Sequence, residues 1–432
     1  MKHFLIFIIC VLSLSACHKD KHEETTPKPD SLPANMTLLV YLAGDNNLDD
    51  NYYDYEEGRT INFVDEDISQ MMKGSSQLTS KQHLILFVDR KGEKPYFLHI
   101  ANGDTTRMYT YDTELKSSDA ATLAMALRWV KENYPADSYG LSLWGHADGW
   151  TISKARTTQH AAAPRKAYGQ DTTNGTMWME IPDMAKALKE VCGDQPLRFI
   201  FADCCCFQCV ESAYELRKVT DYIIASPAEI PGEGAPYDMV IPALFDSSDK
   251  FYEAAADAYH AQTSYGYGEP LSVVKTSELE NLAQATKAAL TQCVEPLNSN
   301  GTNYPKLDSL IYYYNHCLYD MNDFMLLNAT TDAYILWKKS FDKAVPWKKM
   351  ATVWMSSGGY YYDERHVPFT NSSETQFRDF KVTEERYGGI SMFSPQNTST
   401  LLARDKQYQE KQRKNISQMQ WFTAAGYDVL GW

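Results

Sequence analysis

Two segments carry side chains suited to nucleophilic chemistry. One is FADCCCFQCVESAYEL (201–216), where Cys204, Cys205, Cys206 and Cys209 crowd together. A cysteine where a strand gives way to a helix is reachable and lies near unpaired helix N–H groups. Both factors favour the thiolate, which is the reactive form. The other segment is LSLWGHADGW (141–150), which puts His146 just past a short apolar run. An imidazole beside a thiol can hold its proton and later hand it to a leaving amine. A metal centre is the competing use of these cysteines. Cys206 and Cys209 have the spacing of a zinc pair, but no second pair lies nearby, and contiguous cysteines do not readily converge on one tetrahedral ion. No metal is expected, and the cysteines that flank the nucleophile read as small core fillers.

His146 and the cysteine run are far apart in sequence, so a sheet must bring them together. MTLLVYLAG (36–44), HLILFVDR (83–90), LSLWGH (141–146), LRFIFAD (197–203) and TDYIIAS (220–226) read as strands. Between them SSDAATLAMALRWVKENYP (117–135), PDMAKALKEVCG (182–193) and VESAYELRKV (210–219) read as helices. Ser118 can cap the first of these, and Leu123, Leu127 and Val130 recur at helical spacing. Pro182 and Gly193 bracket the second in the expected order. Apolar strands alternating with helices imply an α/β fold whose largely parallel sheet is covered on both faces. Functional groups in such sheets gather at the carboxyl ends of the strands, where His146 and the cysteines fall. That catalytic domain is expected over 36–265. Residues 266–432 read as a C-terminal lobe packed on it: LSVVKTSELENLAQATKAALTQCVEPLN (271–298) has helical period, tyrosine clusters follow, and GGISMFSP (388–395) reads as a strand.

The 432 residues are 44% apolar and 22% charged, an ordinary globular composition. A net charge of −15 excludes nucleic acid as an expected partner and biases the surface toward basic peptides. Residues 1–16 read as a signal peptide, because the apolar run from Phe4 to Leu14 is too short to stay in a bilayer. It ends in Leu14-Ser15-Ala16-Cys17, which resembles a bacterial lipobox and implies a lipid on Cys17. Residues 17–35 are polar and proline-bearing and make a flexible tether. The expected place is therefore the cell envelope after export; in a Gram-negative source, His18 rather than aspartate after Cys17 points to the outer membrane.

LLVYLAGDNNLD, LSLWGHADGW and DCCCFQCVESAYEL together resemble the clostripain family of caspase-like cysteine peptidases. SPAEIPGEGAPY (226–237), GGISMFSP and WFTAAGYD (421–428) resemble that family's later landmarks, so the resemblance spans most of the mature chain. Aligned on Glu211, Ala213, Tyr214, Glu215 and Leu216, the family nucleophile falls on Cys205 and its catalytic histidine on His146. The resemblance implies a caspase-like sandwich and amide hydrolysis through an acyl-thioester. The backbone N–H groups of Ala147 and Cys205 would form the oxyanion hole. Asp203 would line the pocket for the side chain before the cut and favour Arg or Lys there. No cofactor is required, and calcium stays open. Some members of this family cut themselves between the two catalytic segments after a basic residue. Here that region holds Lys154, Arg156, Arg165 and Lys166 in an alanine-rich stretch expected to be a loop.

Two departures are notable. The family's glycine after the histidine is Ala147, which disfavours positive φ. The acidic residues often found after the serine are Pro227 and Ala228; Glu229 or Glu233 could substitute. These departures sustain a rival reading, a catalytically weak homologue serving as a cell-surface binding lipoprotein. A metal-dependent hydrolase is a third.

Overall fold

The computed structural model describes residues 34–432 apart from 55–57, 151–167, 174–176, 265–266, 296, 298–309, 315–316, 352, 356–369, 373–381 and 396–402. Cys17, the expected tether up to residue 33, Lys154, Arg156, Arg165 and Lys166 lie outside the described residues, while Ala34 and Asn35, expected as the tether's end, begin the first strand.

The strand Ala34–Gly44 (β1) is apolar at almost every position because both its faces are covered. Leu39, Tyr41 and Ala43 enter one core, while Leu38, Val40 and Leu42 enter the other. The helices around it are α1 (Phe63–Ser75), α2 (Ala120–Asn133), α3 (Ile181–Cys192), α4 (Val210–Leu216), α5 (Tyr237–Leu244) and α6 (Phe251–His260). The apolar stripes of α2, α3 and α4 fill the first core, and those of α1, α5 and α6 fill the second. Burial on both faces is what turns an alternating strand pattern into a continuous apolar run.

The other strands of this sheet are β2 (Gln82–Arg90), β3 (Tyr96–Ala101), β4 (Asp104–Thr110), β5 (Ala136–Trp144), β6 (Phe199–Asp203), β7 (Tyr222–Ala225), β8 (Leu271–Lys275) and β9 (Trp347–Lys349). They form one nine-stranded sheet in the order β9-β8-β7-β6-β5-β1-β2-β3-β4. The central five run parallel, and the outer pair on each side is antiparallel. The expected α/β architecture, a largely parallel sheet flanked by helices, is thus present. After β1 the chain moves to β2 on one side; after β5 it moves to β6 on the other. The crevice between the ends of β1 and β5 is therefore a topological switch point, where α/β sheets open a site.

Three expectations need correction. Asp119, not Ser118, caps α2: its carboxylate accepts from the Ala121 N–H, while Ser118 is buried. Leu271–Lys275 is a strand rather than the start of a helix, because Val273 and Val274 pair with β7 and are buried in the sheet. The helical period belongs to Leu279–Leu290 alone. The boundary expected at residue 266 also does not divide the sheet, since β8 and β9 lie beyond it and complete one edge.

The last third of the chain is stitched to α4, directly behind the cysteine run. The Glu211 carboxylate accepts the Phe393 N–H at 2.7 Å, and Glu215 accepts from the Gln420 side chain at 2.6 Å. Burial pushes the Glu211 carboxyl up to about 8. The glutamates of the Glu-x-Ala-Tyr-Glu-Leu helix are thus anchors for the C-terminal segments.

Packing at the centre of the sheet leaves no slack at Gly140. A Cβ there would stand 2.5 Å from the ring of its cross-strand neighbour Phe199. Gly140→Ala is expected to destabilise the chain by about 1–3 kcal/mol. The measurement is the urea midpoint, which should fall without a change in m-value.

Candidate active site

The register of β5 and β6 aligns the two chemical segments. Trp144 pairs with Asp203, and each candidate lies two residues further along its own strand. His146 and Cys205 therefore leave the sheet side by side and line one cleft of about 580 Å³.

At the β5 end, Gly145 takes φ 141°, and a Cβ on it would press on the Ala43 carbonyl at 3.0 Å. Only glycine lets the chain turn there so close to β1. His146 follows, half-buried. Its carbonyl accepts the Gly169 N–H at 2.9 Å, and Ala147 bridges to Tyr168. Among the described non-glycine residues only Asn102 and Cys206 take positive φ, so Ala147 occupies its place without that strain.

The ring is held by a residue that the sequence did not single out. His146 Nε2 lies 2.8 Å from Asn47 Oδ1. Asn47 Nδ2 donates to the Tyr52 hydroxyl at 3.2 Å, and that hydroxyl donates to the Asn47 carbonyl at 2.7 Å. With its amide nitrogen engaged this way, Asn47 presents its oxygen to the imidazole. That arrangement favours the tautomer with Nε2 protonated. Asn47 stands just past β1, on the far side of the switch-point crevice.

At the β6 end a local strain sorts the cysteines. Cys206 takes φ 55°, a conformation rare for a side chain larger than glycine. Its N–H donates to the Ala228 carbonyl at 2.8 Å, which pins the turn. Cys204, Cys206 and Cys209 are buried and Cys205 alone of the four is half-buried, at the cleft. The Cys205 sulfur accepts from the Ile230 N–H at 3.5 Å.

The thiol is not favoured as an anion by the following helix. That helix starts only at Val210, with Cys209 at its cap position. Desolvation raises the Cys205 thiol well above its ordinary value; Glu229, Asp148 and Glu269 add to this, and the Ile230 N–H works against it. These surroundings favour the neutral thiol.

Asp203 is buried and engaged. Its Oδ1 accepts from Tyr259 at 2.6 Å, and Oδ2 accepts from Tyr237 at 2.8 Å and from the Ala235 N–H at 3.1 Å. Burial raises its pKa, and these hydrogen bonds oppose the rise. Asp67, which accepts from Trp144 Nε1 at 2.5 Å, is raised by burial and then by the charge of Asp203. Pro227 and Ala228 are buried, Glu229 bridges to Met355, and Glu233 lines the cleft with Asp203. Among the described residues, no group of three or more His, Cys, Asp or Glu side chains is placed to hold a metal ion.

A sequence model of the clostripain family matches residues 40–425. Among solved structures, a secreted C11 cysteine protease from Bacteroides thetaiotaomicron, in complex with an irreversible peptide inhibitor, is 27% identical. The match has a TM-score of 0.70 and covers 91% of this chain and 99% of that one. An inactive zymogen C11 protease from Parabacteroides distasonis is 25% identical, with a TM-score of 0.65 over 91% of this chain and 99% of that one. A further secreted C11 protease from B. thetaiotaomicron shares the fold at 19% identity, with a TM-score of 0.66 over the same shares. No functionally curated protein matches the chain.

The Asn47 contact has a kinetic consequence. Without it the imidazole loses the acceptor that faces Nε2. Asn47→Ala is expected to lower kcat on a peptide substrate by about tenfold, a part of what positioned acid–base groups supply. KM should stay within about twofold, and steady-state kinetics measure both.

Proposed function

The chain belongs to the clostripain family of cysteine peptidases, and from that premise we propose that Cys205 is its nucleophile and His146 the base that serves it. The carrying observation is the shared cleft: the Cys205 thiol and the His146 imidazole follow adjacent parallel strands at matching positions and line one cavity.

The chemistry follows from those roles. His146 takes the proton from the Cys205 sulfur, and the thiolate attacks the scissile carbonyl carbon. The tetrahedral oxyanion is received by the N–H groups of Ala147 and Cys205. The neighbouring amides of Gly145 and Cys206 are already engaged by the Asp203 and Ala228 carbonyls, which supports this assignment. Such donors are worth ~3–4 kcal/mol to the transition state in other enzymes. His146 then protonates the leaving amine, the C–N bond breaks, and an acyl-thioester remains. Water, deprotonated by His146, attacks the thioester and releases the acid, and the proton returns to sulfur.

The substrate is a peptide or protein, with Arg or Lys before the cut. The support is a cleft edged by carboxylates, with Asp203 at its base and Asp67 behind it. We further infer export and lipid anchoring through Cys17, and self-cleavage within 151–170 at one of Lys154, Arg156, Arg165 or Lys166. The neighbours described as secreted, and the one described as a zymogen, are consistent with export and with processing. Among the described residues no helix is long and apolar enough to cross a membrane.

The test is turnover of fluorogenic peptides that differ only in the residue before the cut, by the chain lacking residues 1–17 and by its Cys205→Ala variant. Cleavage after Arg or Lys, absent in the variant, is expected. Cleavage after other residues keeps the nucleophile and removes the basic preference. Cleavage that survives in Cys205→Ala removes the nucleophile. Intact mass should show two fragments for the wild type and one chain for the variant. Two fragments from the variant would exclude self-cleavage.

A further inference from the structure

We propose that Glu233, rather than Asp203, supplies the charge that selects a basic side chain in the cleft. The inference rests on the preference for Arg or Lys proposed above and names the residue that enforces it.

Asp203 works inward. Two tyrosine hydroxyls and one amide already occupy its oxygens, and they tie it to the segment 231–237 and to α6. A carboxylate so engaged has little capacity left for the two parallel hydrogen bonds that a guanidinium offers. Its role on these contacts is to hold the wall of the cleft.

Glu233 has the opposite character. It lines the same cleft as Cys205 and His146, is half-exposed, and has no hydrogen-bond or ion-pair partner among the described residues. The segment that carries it is firmly held. Gly234 donates its N–H to the Pro231 carbonyl at 3.2 Å, closing a turn with Glu233 at its third position. The glycines on either side are both in close contact. A Cβ on Gly232 would lie 2.8 Å from the Phe63 ring, and one on Gly234, at φ 58°, would lie 2.7 Å from Asp203 Oδ2. Pro-Gly-Glu-Gly is thus a pinned turn that presents one side chain. A charge on a fixed support discriminates better than one on a mobile loop, because less ordering is needed on binding.

Buried carboxylates stand close to Glu233. Asp67 and Glu269 are buried and both feel its charge, and Glu269 Oε2 has no hydrogen-bond partner among the described residues. A cation entering the cleft meets Glu233 directly and the field of the buried carboxylates behind it. An acidic side chain is repelled by the same set, and a neutral one leaves it uncompensated.

The experiment compares two peptides identical except for arginine or citrulline before the cut, since citrulline keeps the shape and loses the charge. The readout is the ratio of their kcat/KM values for the wild type and for Glu233→Gln. The expected result is a ratio strongly favouring arginine that falls about 10- to 100-fold in the variant, through KM, as for a lost charge-assisted contact. A variant that slows both peptides equally keeps the ratio; it would mean the turn is structural and would overturn the proposal while the basic preference stands. A wild-type ratio near one, or no turnover of either peptide, overturns the basic preference and this inference together.

Discussion

The pairing of β5 with β6 is the constraint on which the site depends. A parallel ladder fixes its partners residue by residue, and here it sets Trp144 against Asp203. A one-residue slip would turn every side chain of one strand to the opposite core. Such a slip is costly, because Leu141 and Leu143 lie in one core while Trp144 lies in the other. The register that satisfies both cores is also the one that brings His146 beside Cys205. The alignment of the proposed catalytic pair thus follows from packing. The switch point adds the third group, since β1 ends across the same crevice and delivers Asn47 to the imidazole.

Around this alignment the chain keeps an unusual amount of buried acid. Asp67, Asp203 and Glu269 are all raised by desolvation, and the charge of Asp203 acts on the other two. Burying carboxylates is costly unless they are hydrogen-bonded or share protons. Tyr237, Tyr259 and Trp144 provide the hydrogen bonds for two of the three. Desolvation, with Glu229, Asp148 and Glu269 adding to it, disfavours the Cys205 thiolate. On the proposed roles, the thiol becomes a nucleophile when His146 takes its proton.

Much of this was legible in the sequence for identifiable reasons. The apolar run in β1 announces a strand buried on both sides, and Pro182 and Gly193 mark the ends of α3. The segments around His146 and Cys205 carried the family resemblance. Other features were set by partners distant in sequence. Val273 and Val274 are strand residues because β7 needs a neighbour, but the helical period after Leu279 hid them in a longer window. Asp119 and Ser118 are both competent caps, and only burial of Ser118 decides between them. Nothing local to Asn47 shows that it orients a histidine 99 residues away. The one available signal was its place just beyond the first parallel strand. Glu233 was recognised as a candidate acid, and its placement needed the turn that Gly232 and Gly234 make possible.

The central claim is that Cys205 is activated by His146 and not by its own surroundings. The direct measurement is the rate of iodoacetamide alkylation near neutral pH, with the modified residue located by peptide mass spectrometry, for the wild type and for His146→Ala. The account predicts that Cys205 is modified first among the cysteines and that the variant slows this step by about 100-fold, the scale of a lost general base. An equal rate in the variant, or first modification at Cys204, Cys206 or Cys209, would contradict it.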